Sequence, residues 1–517
     1  MLRLLPLVCL YALLSGTLSI ASQTPTTQSS EDTRRAAQAL DQAVQALGGM
    51  ESLQRINSIS LAGKGAEFRS AEVQGRHPEK DTRTDHEERL AVNLAENKAA
   101  YEYRTPRHDG SVRWRKYIFS GDQQIFADFI AQQAAPRRSS TAERLSYQRR
   151  VPHLLLLEAV KHQDSLKSVS EIEFEGKKQQ VISFMPTGAT VPLKLFLDAE
   201  THLLSKFEYV LDFPALGETA VEFVYRGWRA SKELQQFPVG HQIRVAGKVY
   251  QEVNYDQVTV NDQAINAAFT LPDELQSYLT APGAITEITK GVFLVEGLGG
   301  FNPLFVEFKD YILAVEAPAS HPGLDTVPPR YGASGDVSET LIKKIKERIP
   351  NKPIKYVAIT HYHSDHAGGA RAFLAEGTTI LTTPGNEQFF QHLAAAHLSL
   401  NPDRLEKNPR AATIETITSK RVLTDGEQTV ELISVGANPH TDEMLAVYLP
   451  KANFIYQGDL FYFSGDESFP TKGRVIIMQF FARWLRQQHL TPRRIYGFHG
   501  FGFATMEHVR RVMAWKD

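Results

Sequence analysis

The chain has 517 residues, 42% apolar, 22% charged and 10% aromatic. This is the composition of a soluble globular protein of two or three domains, and it excludes a single small module and a mainly disordered chain. Lys and Arg number 57 against 59 Asp and Glu, a net charge of -2. With no global field to gather polyanions, nucleic acid is excluded as the main partner and a small-molecule substrate is expected.

Met1-Leu2-Arg3 precedes the apolar run Leu4 to Ile20, and the small-residue site Ser19-Ile20-Ala21 precedes polar Ser22-Gln23-Thr24. Residues 1–21 therefore read as a cleaved secretory signal, giving a periplasmic or secreted protein with no stable membrane span. A retained anchor is the alternative, because about 17 apolar residues just span a bilayer; Pro6, Ser15, Gly16, Thr17 and Ser19 suit it poorly. The one cysteine, Cys9, lies inside this run. The mature chain then has neither a disulfide nor a thiolate, and any metal site must use His, Asp and Glu.

Residues 22–56 form a leader and a helix, with Leu40, Ala43, Val44 and Leu47 on one face and a stop at Gly48-Gly49. From 57 to 279 the pattern is of strands: Glu88 to Leu94, Lys116 to Phe119, Gln180 to Met185, Leu193 to Leu197, Lys206 to Leu211, Ala220 to Tyr225 and Gln242 to Val245. A helix over Ala142 to His162 interrupts them. The expectation is an antiparallel sheet with a covering helix, and the pairs Arg137-Arg138 and Arg149-Arg150 read as solvated surface. The phrases Val258-Thr259-Val260-Asn261-Asp262 and Phe269-Thr270-Leu271-Pro272 resemble the end of periplasmic lipoprotein-carrier-like half-barrels.

Leu279 to Ile285 reads as a linker, and from 280 to 517 strands alternate with helices. Strands are expected at Val292 to Glu296, Leu304 to Glu307, Ile312 to Val315, Ile354 to Ile359, Thr429 to Val435, Met444 to Leu449, Phe454 to Tyr456 and Ile495 to Phe498. Helices are expected at Glu339 to Arg348, Ala367 to Ala375, Glu387 to Leu398, Val475 to Gln488 and Met506 to Trp515. Thr360-His361-Tyr362-His363-Ser364-Asp365-His366-Ala367-Gly368-Gly369 follows the strand at 354, and places four metal-capable side chains within six residues. In an extended turn residues i and i+2 point the same way, so His361 and His363 can hold one ion while Asp365 and His366, at the mouth of the next helix, face a second. Gly368-Gly369 lets the chain pass close behind.

His-x-His-x-Asp-His resembles the signature of the metallo-β-lactamase superfamily. The resemblance implies an αββα sandwich with metals at one edge, so the expected class is α+β, with that sandwich preceded by a mainly antiparallel β-sheet domain. It further implies that His440, in Asn438-Pro439-His440-Thr441-Asp442, completes the first ion's ligands with His361 and His363. Asp365, His366 and His499 take the second ion, and Asp459 lies between the two. Two zinc ions are implied, with iron possible on the same ligands. A metal-bridging hydroxide then attacks an ester, thioester, lactam or related bond, and catalytic Asp365 orients it. Asp459 at the bridging position resembles the thioesterase and general hydrolase branches rather than the true lactamases, but 18 residues remain after His499, too few for the helical domain of a glutathione thioesterase. Specificity is expected from the loop Ala317 to Ser338, with His321, Pro328, Pro329, Arg330 and Tyr331, and from Tyr462-Phe463. Two other readings stay open: a lipophilic-ligand carrier with an attached metallo-hydrolase domain, and an iron-dependent sulfur dioxygenase.

Overall fold

The computed structural model describes residues 26–68, 83–106, 112–130, 133–138, 141–213, 216–231, 233–273, 275–277, 283–319, 336–463, 465, 469–470 and 474–515. The expected signal and the loop residues His321, Pro328, Pro329, Arg330 and Tyr331 lie outside these.

The strand-rich half forms a fourteen-stranded sheet among the described residues. One meander runs from Ser58–Phe68 to Gln133–Arg138 and a second from Lys167–Phe174 to Lys248–Val260. They are joined where Ser58–Phe68 pairs antiparallel with Lys248–Val260. Alternation explains this sheet: along Leu204–Phe213 the residues Phe207, Tyr209, Leu211 and Phe213 are buried and their neighbours are less so. That apolar face is covered by the helices Thr26–Ala46, Gly49–Gln54 and Pro152–Lys161 through Ala36, Leu40, Val44, Leu53, Leu155 and Leu156. The expected stop at Gly48-Gly49 is a hinge into a second short helix, and both glycines have positive φ.

The single helix expected over 142–162 is two, Thr141–Gln148 and Pro152–Lys161. Pro152 lacks an amide hydrogen and starts the second, so the helix breaks at Arg149-Arg150-Val151. This corrects the reading of Arg149-Arg150 as solvated surface, because their exposures are 0% and 1%. Arg149 makes a bidentate pair with Glu158, at 2.7 Å for both bonds, and donates to the carbonyl of Thr187. Arg150 lies over the rings of Tyr101 and Tyr147 at 4.6 and 5.4 Å and 3.6 Å from buried Glu88. A chain break that frees two long side chains thus turns them inward, where aromatic faces and carboxylates compensate their charge. The side chains of Arg137 and Arg138 lie outside the described residues.

The second half is a four-layer αββα sandwich. A seven-stranded sheet starts as an antiparallel meander, Ala284–Thr289 to Ile312–Val315, and continues in parallel through Ile354–Ala358, Thr379–Thr382 and Ile414–Thr416. A five-stranded sheet comprises Lys420–Thr424, Thr429–Ser434, Leu445–Leu449, Phe454–Gln457 and Arg494–Gly497. The sheets face each other through Leu294, Val306, Leu313, Leu432, Val447 and Tyr456. Helices Asp336–Arg348, Ala370–Ala375 and Glu387–Ala395 cover the outside of the first, and Val475–Gln487 and Met506–Ala514 cover the second. Burial on both faces explains the apolar runs of Leu304–Glu307, Ile312–Val315 and Leu445–Leu449. The helix expected over Ala367 to Ala375 is interrupted at Gly368-Gly369, and that expected to reach Leu398 ends at Ala395.

His153, in the first turn of Pro152–Lys161, is 1% exposed and stacks on Phe237 at 5.7 Å. Neither of its ring nitrogens has a hydrogen-bond partner among the described residues. Burial pushes its pKa down from the ordinary 6.5 to about 4. The unfolded chain therefore takes up a proton that the folded one refuses between those values, so stability is full above 6.5 and falls as the pH drops towards 4, by roughly 3 kcal/mol for this group. We expect His153→Leu to flatten the pH dependence of denaturant midpoints between pH 7 and 4; an unchanged slope would show that His153 does not carry it.

Candidate metal centre

The site is assembled from loops that leave the C-terminal ends of strands, where a parallel arrangement gathers them along one edge. His361 to His366 follow Ile354–Ala358, His440 follows Thr429–Ser434, Asp459 follows Phe454–Gln457 and His499 follows Arg494–Gly497. Local chemistry fixes each turn. Asn438 Oδ1 accepts from the amides of His440 and Thr441, both at 2.9 Å, holding the turn that presents His440. Gln457 Oε1 accepts from the amides of Leu460 and Phe461, and its Nε2 donates to the Phe461 carbonyl, so one amide side chain fixes the turn around Asp459. A Cβ on Gly458 would lie 2.7 Å from Thr360 Oγ1. One on Gly369 would lie 2.1 Å from Ser338 Oγ and 2.5 Å from the Pro318 carbonyl, so glycine here serves close approach, as expected, and not a positive φ.

All seven expected residues meet in two groups. His361, His363, His440 and Asp459 offer atoms within 4.8 Å of one another, and so do Asp365, His366 and His499. Asp459 faces both: Oδ2 is 3.1 Å from His440 Nε2, and Oδ1 is 3.2 Å from His366 Nε2 and from His499 Nε2. His361 Nε2 lies 2.9 Å from His363 Nδ1 and 3.3 Å from His440 Nε2. His361, His366, His440 and Asp459 are buried, whereas His363, Asp365 and His499 are partly exposed and mark the open side. Convergence of ring nitrogens and carboxylate oxygens this close is costly unless a cation reconciles them. The buried Asp459 Oδ1 and His366 Nε2, which lack a hydrogen bond, fit that requirement.

Burial, with His366 and His440 beside it, holds His361 well below the usual histidine range, keeping its lone pair available. Burial also opposes charge on His366, but Asp365, Glu316 and Asp459 outweigh it and raise its pKa well above the ordinary value. For Asp459 burial favours the neutral acid, and His499, His366 and His440 overcome that and hold it well below the carboxylate range.

The residue that sequence reading missed is Glu316, fully buried just beyond Ile312–Val315 and held at a positive φ of 71 degrees. Its Oε1 accepts from Thr360 Oγ1 at 2.7 Å and from His366 Nδ1 at 3.1 Å, and its Oε2 accepts from the Thr360 amide at 3.1 Å. Thr360, having donated its hydroxyl hydrogen, accepts from His361 Nδ1 at 3.0 Å. One carboxylate therefore anchors Nδ1 of a histidine in each group, directly for His366 and through Thr360 for His361, and leaves both Nε2 atoms facing the cluster. The available signal was an acid directly after a wholly apolar strand, where it has no route to solvent. The lone Glu-Ala-Pro carries no motif beyond that.

Residues 332–499, about a third of the chain, match the family model described as the metallo-beta-lactamase superfamily. The matched residues include the whole seven-residue cluster. Among solved structures, the chain is similar to the DIM-1 metallo-beta-lactamase, at 18% identity over 44% of this chain and 94% of that one, with a TM-score of 0.31. A metallo-beta-lactamase from Pontibacter korlensis shows 16% identity over 45% and 99%, with a TM-score of 0.30. FIM-1 from Pseudomonas aeruginosa in its mono-zinc form shows 20% over 45% and 93%, with a TM-score of 0.32. No curated protein matches the chain.

Removing the Glu316 carboxylate frees both imidazoles to rotate. Glu316→Ala should weaken zinc binding by about 10–100-fold in chelator-competition titrations, the usual effect of losing a partner of a ligating histidine. Unchanged affinity would show that the two histidines are oriented without it.

Proposed function

We propose that this protein is a metal-dependent hydrolase with a dinuclear centre. The observation that carries the reading is the division of seven side chains into two groups that share Asp459, one of its oxygens towards each group. His361, His363 and His440 would hold one cation, Asp365, His366 and His499 the other. A set of imidazoles and carboxylates without cysteine suits zinc, and iron is the competing occupant. Two such cations would supply Lewis acidity and a water that ionises near neutral pH.

The chain's own residues supply the rest. Glu316 and Thr360 would hold the Nδ1–H of His366 and His361 and leave Nε2 of each facing the cluster, where on His366 a bound cation would replace the proton that the surrounding carboxylates favour. Asp365, on the open side and 3.1 Å from His499, orients an incoming water and takes its proton. Substrate approaches over His363, Asp365 and His499, because the opposite wall is closed by Phe498, whose ring lies 4.2 Å from that of His366 and stacks on Phe301 at 4.8 Å. The bond cleaved is that of an ester, thioester, lactam or related acyl compound. The reading includes export, supported by the basic start, apolar core and Ala21 site; a mature terminus near Ser22 in a secreted or periplasmic fraction tests that part.

Elemental analysis of the purified full-length mature protein should find two zinc equivalents. His361→Ala and Asp459→Ala should each lower both bound metal and hydrolysis of activated esters and thioesters by at least about a hundredfold. Full hydrolysis in a metal-free His361→Ala protein would overturn the mechanism, and iron as the sole metal would redirect it to oxygen chemistry.

A further inference from the structure

Arg371 is 4% exposed and lies two residues beyond the Gly368-Gly369 approach, in the helix Ala370–Ala375. It is the hub of the segment that follows helix Glu387–Ala395. Nε and Nη2 donate to the two oxygens of Asp403 at 2.6 and 3.1 Å, and Nη1 donates to the carbonyls of Leu393, Ala394 and Ala396 at 3.1, 3.0 and 2.8 Å. Glu406, 3.5 Å from Arg371 Nη2, accepts from the Leu398 amide and pairs with His397. Residues 393–403 have no regular structure of their own beyond the helix end, and this guanidinium fixes their course.

The N-terminal sheet grips that same segment. Glu218 accepts from the Ser399 amide at 2.7 Å and its own amide donates to the His397 carbonyl at 3.1 Å. Asp212 accepts from the Asn401 amide at 2.6 Å. Gly217, between them, has a φ of +73 degrees, and a Cβ there would lie 2.9 Å from the His397 carbonyl oxygen. The hairpin formed by Leu204–Phe213 and Gly217–Arg229 is therefore shaped to lie flat on residues 397–401 and to cap their amides with two carboxylates.

We propose that this joint couples the sheet domain to the metal loop: the hairpin fixes residues 397–401, Arg371 ties that segment to helix Ala370–Ala375, and the helix continues directly from the turn that carries His361 to His366. A second contact runs the same way, because Phe389 of helix Glu387–Ala395 packs on Tyr362, between two of the histidines, at 5.8 Å. Arg371, Asp212 and Glu218 are then positioning residues, and the sheet domain tightens the centre without supplying a ligand to it. The metal half of this inference rests on the reading of the cluster as a metal centre; the joint does not.

The test is amide hydrogen exchange on the full-length protein, with zinc affinity as a second readout. In Asp212→Ala/Glu218→Ala the Ser399 and Asn401 amides should exchange about tenfold faster. Amides of residues 366–372 should exchange at least about threefold faster, with zinc affinity lowered by a similar factor, and the strand Leu445–Leu449 should be unchanged. Asp212→Asn/Glu218→Gln, which keeps an acceptor oxygen at each position, should restore most of the protection. Arg371→Lys, which keeps the charge but not the fork, should loosen 366–372 from the other side. Faster exchange at 399 and 401 with residues 366–372 and zinc affinity unmoved would overturn the coupling, and unchanged exchange at 399 and 401 would overturn the joint. If the parent protein binds no zinc, the hydrolase reading fails while the exchange arms still decide the joint.

Discussion

The seven-residue cluster depends on a carboxylate that is not one of the seven. Glu316 is buried against His366, whose protonated form it favours, in a backbone conformation that costs about 1–2 kcal/mol for a residue with a Cβ. It persists because three donors converge on it: the Thr360 amide, the Thr360 hydroxyl and His366 Nδ1. The same bonds aim the imidazoles of two ligand groups. Packing alone cannot do this, since an imidazole turned over about its long axis fills nearly the same volume while putting a C–H where a ring nitrogen was. The charge of Glu316 selects one orientation, and the neighbouring histidines are arranged around that choice.

Around this centre, polar side chains do work that backbone geometry does elsewhere. Gln457 and Asn438 satisfy the amides of the turns that carry Asp459 and His440, so those turns hold their form in a buried setting where unpaired backbone groups are costly. Glycines 458 and 369 then let the strands' loops approach closely enough for their side chains to meet. Ligand geometry is thus a property of the loops' internal hydrogen bonding as much as of the sheets.

The cluster was legible because a metal-binding pattern restricts residue type and spacing together, and His361, His363, Asp365 and His366 carry both within one short segment. The mostly apolar strands Val292–Glu296 and Ile354–Ala358 were legible for a similar reason: burial on both faces favours apolar residues along most of their length. Strands such as Lys167–Phe174, largely exposed at a sheet edge, carry no such restriction and fall only under the general strand pattern of 57–279. Arg149 and Arg150 were misread because composition signals water for an arginine pair, whereas Glu158, Glu88, Tyr101 and Tyr147 come together only in three dimensions. Arg371 was invisible for the same reason, and Glu316 nearly so: its place after an apolar strand hints at burial, but the partners through which each acts are assembled only by the fold.

The ladder between Ser58–Phe68 and Lys248–Val260 also bears on how the chain is made. Ser58–Phe68 can pair with Arg83–Asn93 soon after synthesis, but its other edge waits for a strand nearly two hundred residues later. Throughout that interval a nascent chain presents an open row of amides and carbonyls beside the apolar surface of Ile59 and Leu61, the kind of edge that recruits foreign strands. Closure over so long a separation is slow, because the entropy of the intervening loop must be lost before the pairing is gained. The sandwich that follows is built mostly from neighbours in sequence. Its folding can therefore run ahead of the sheet that was synthesised first.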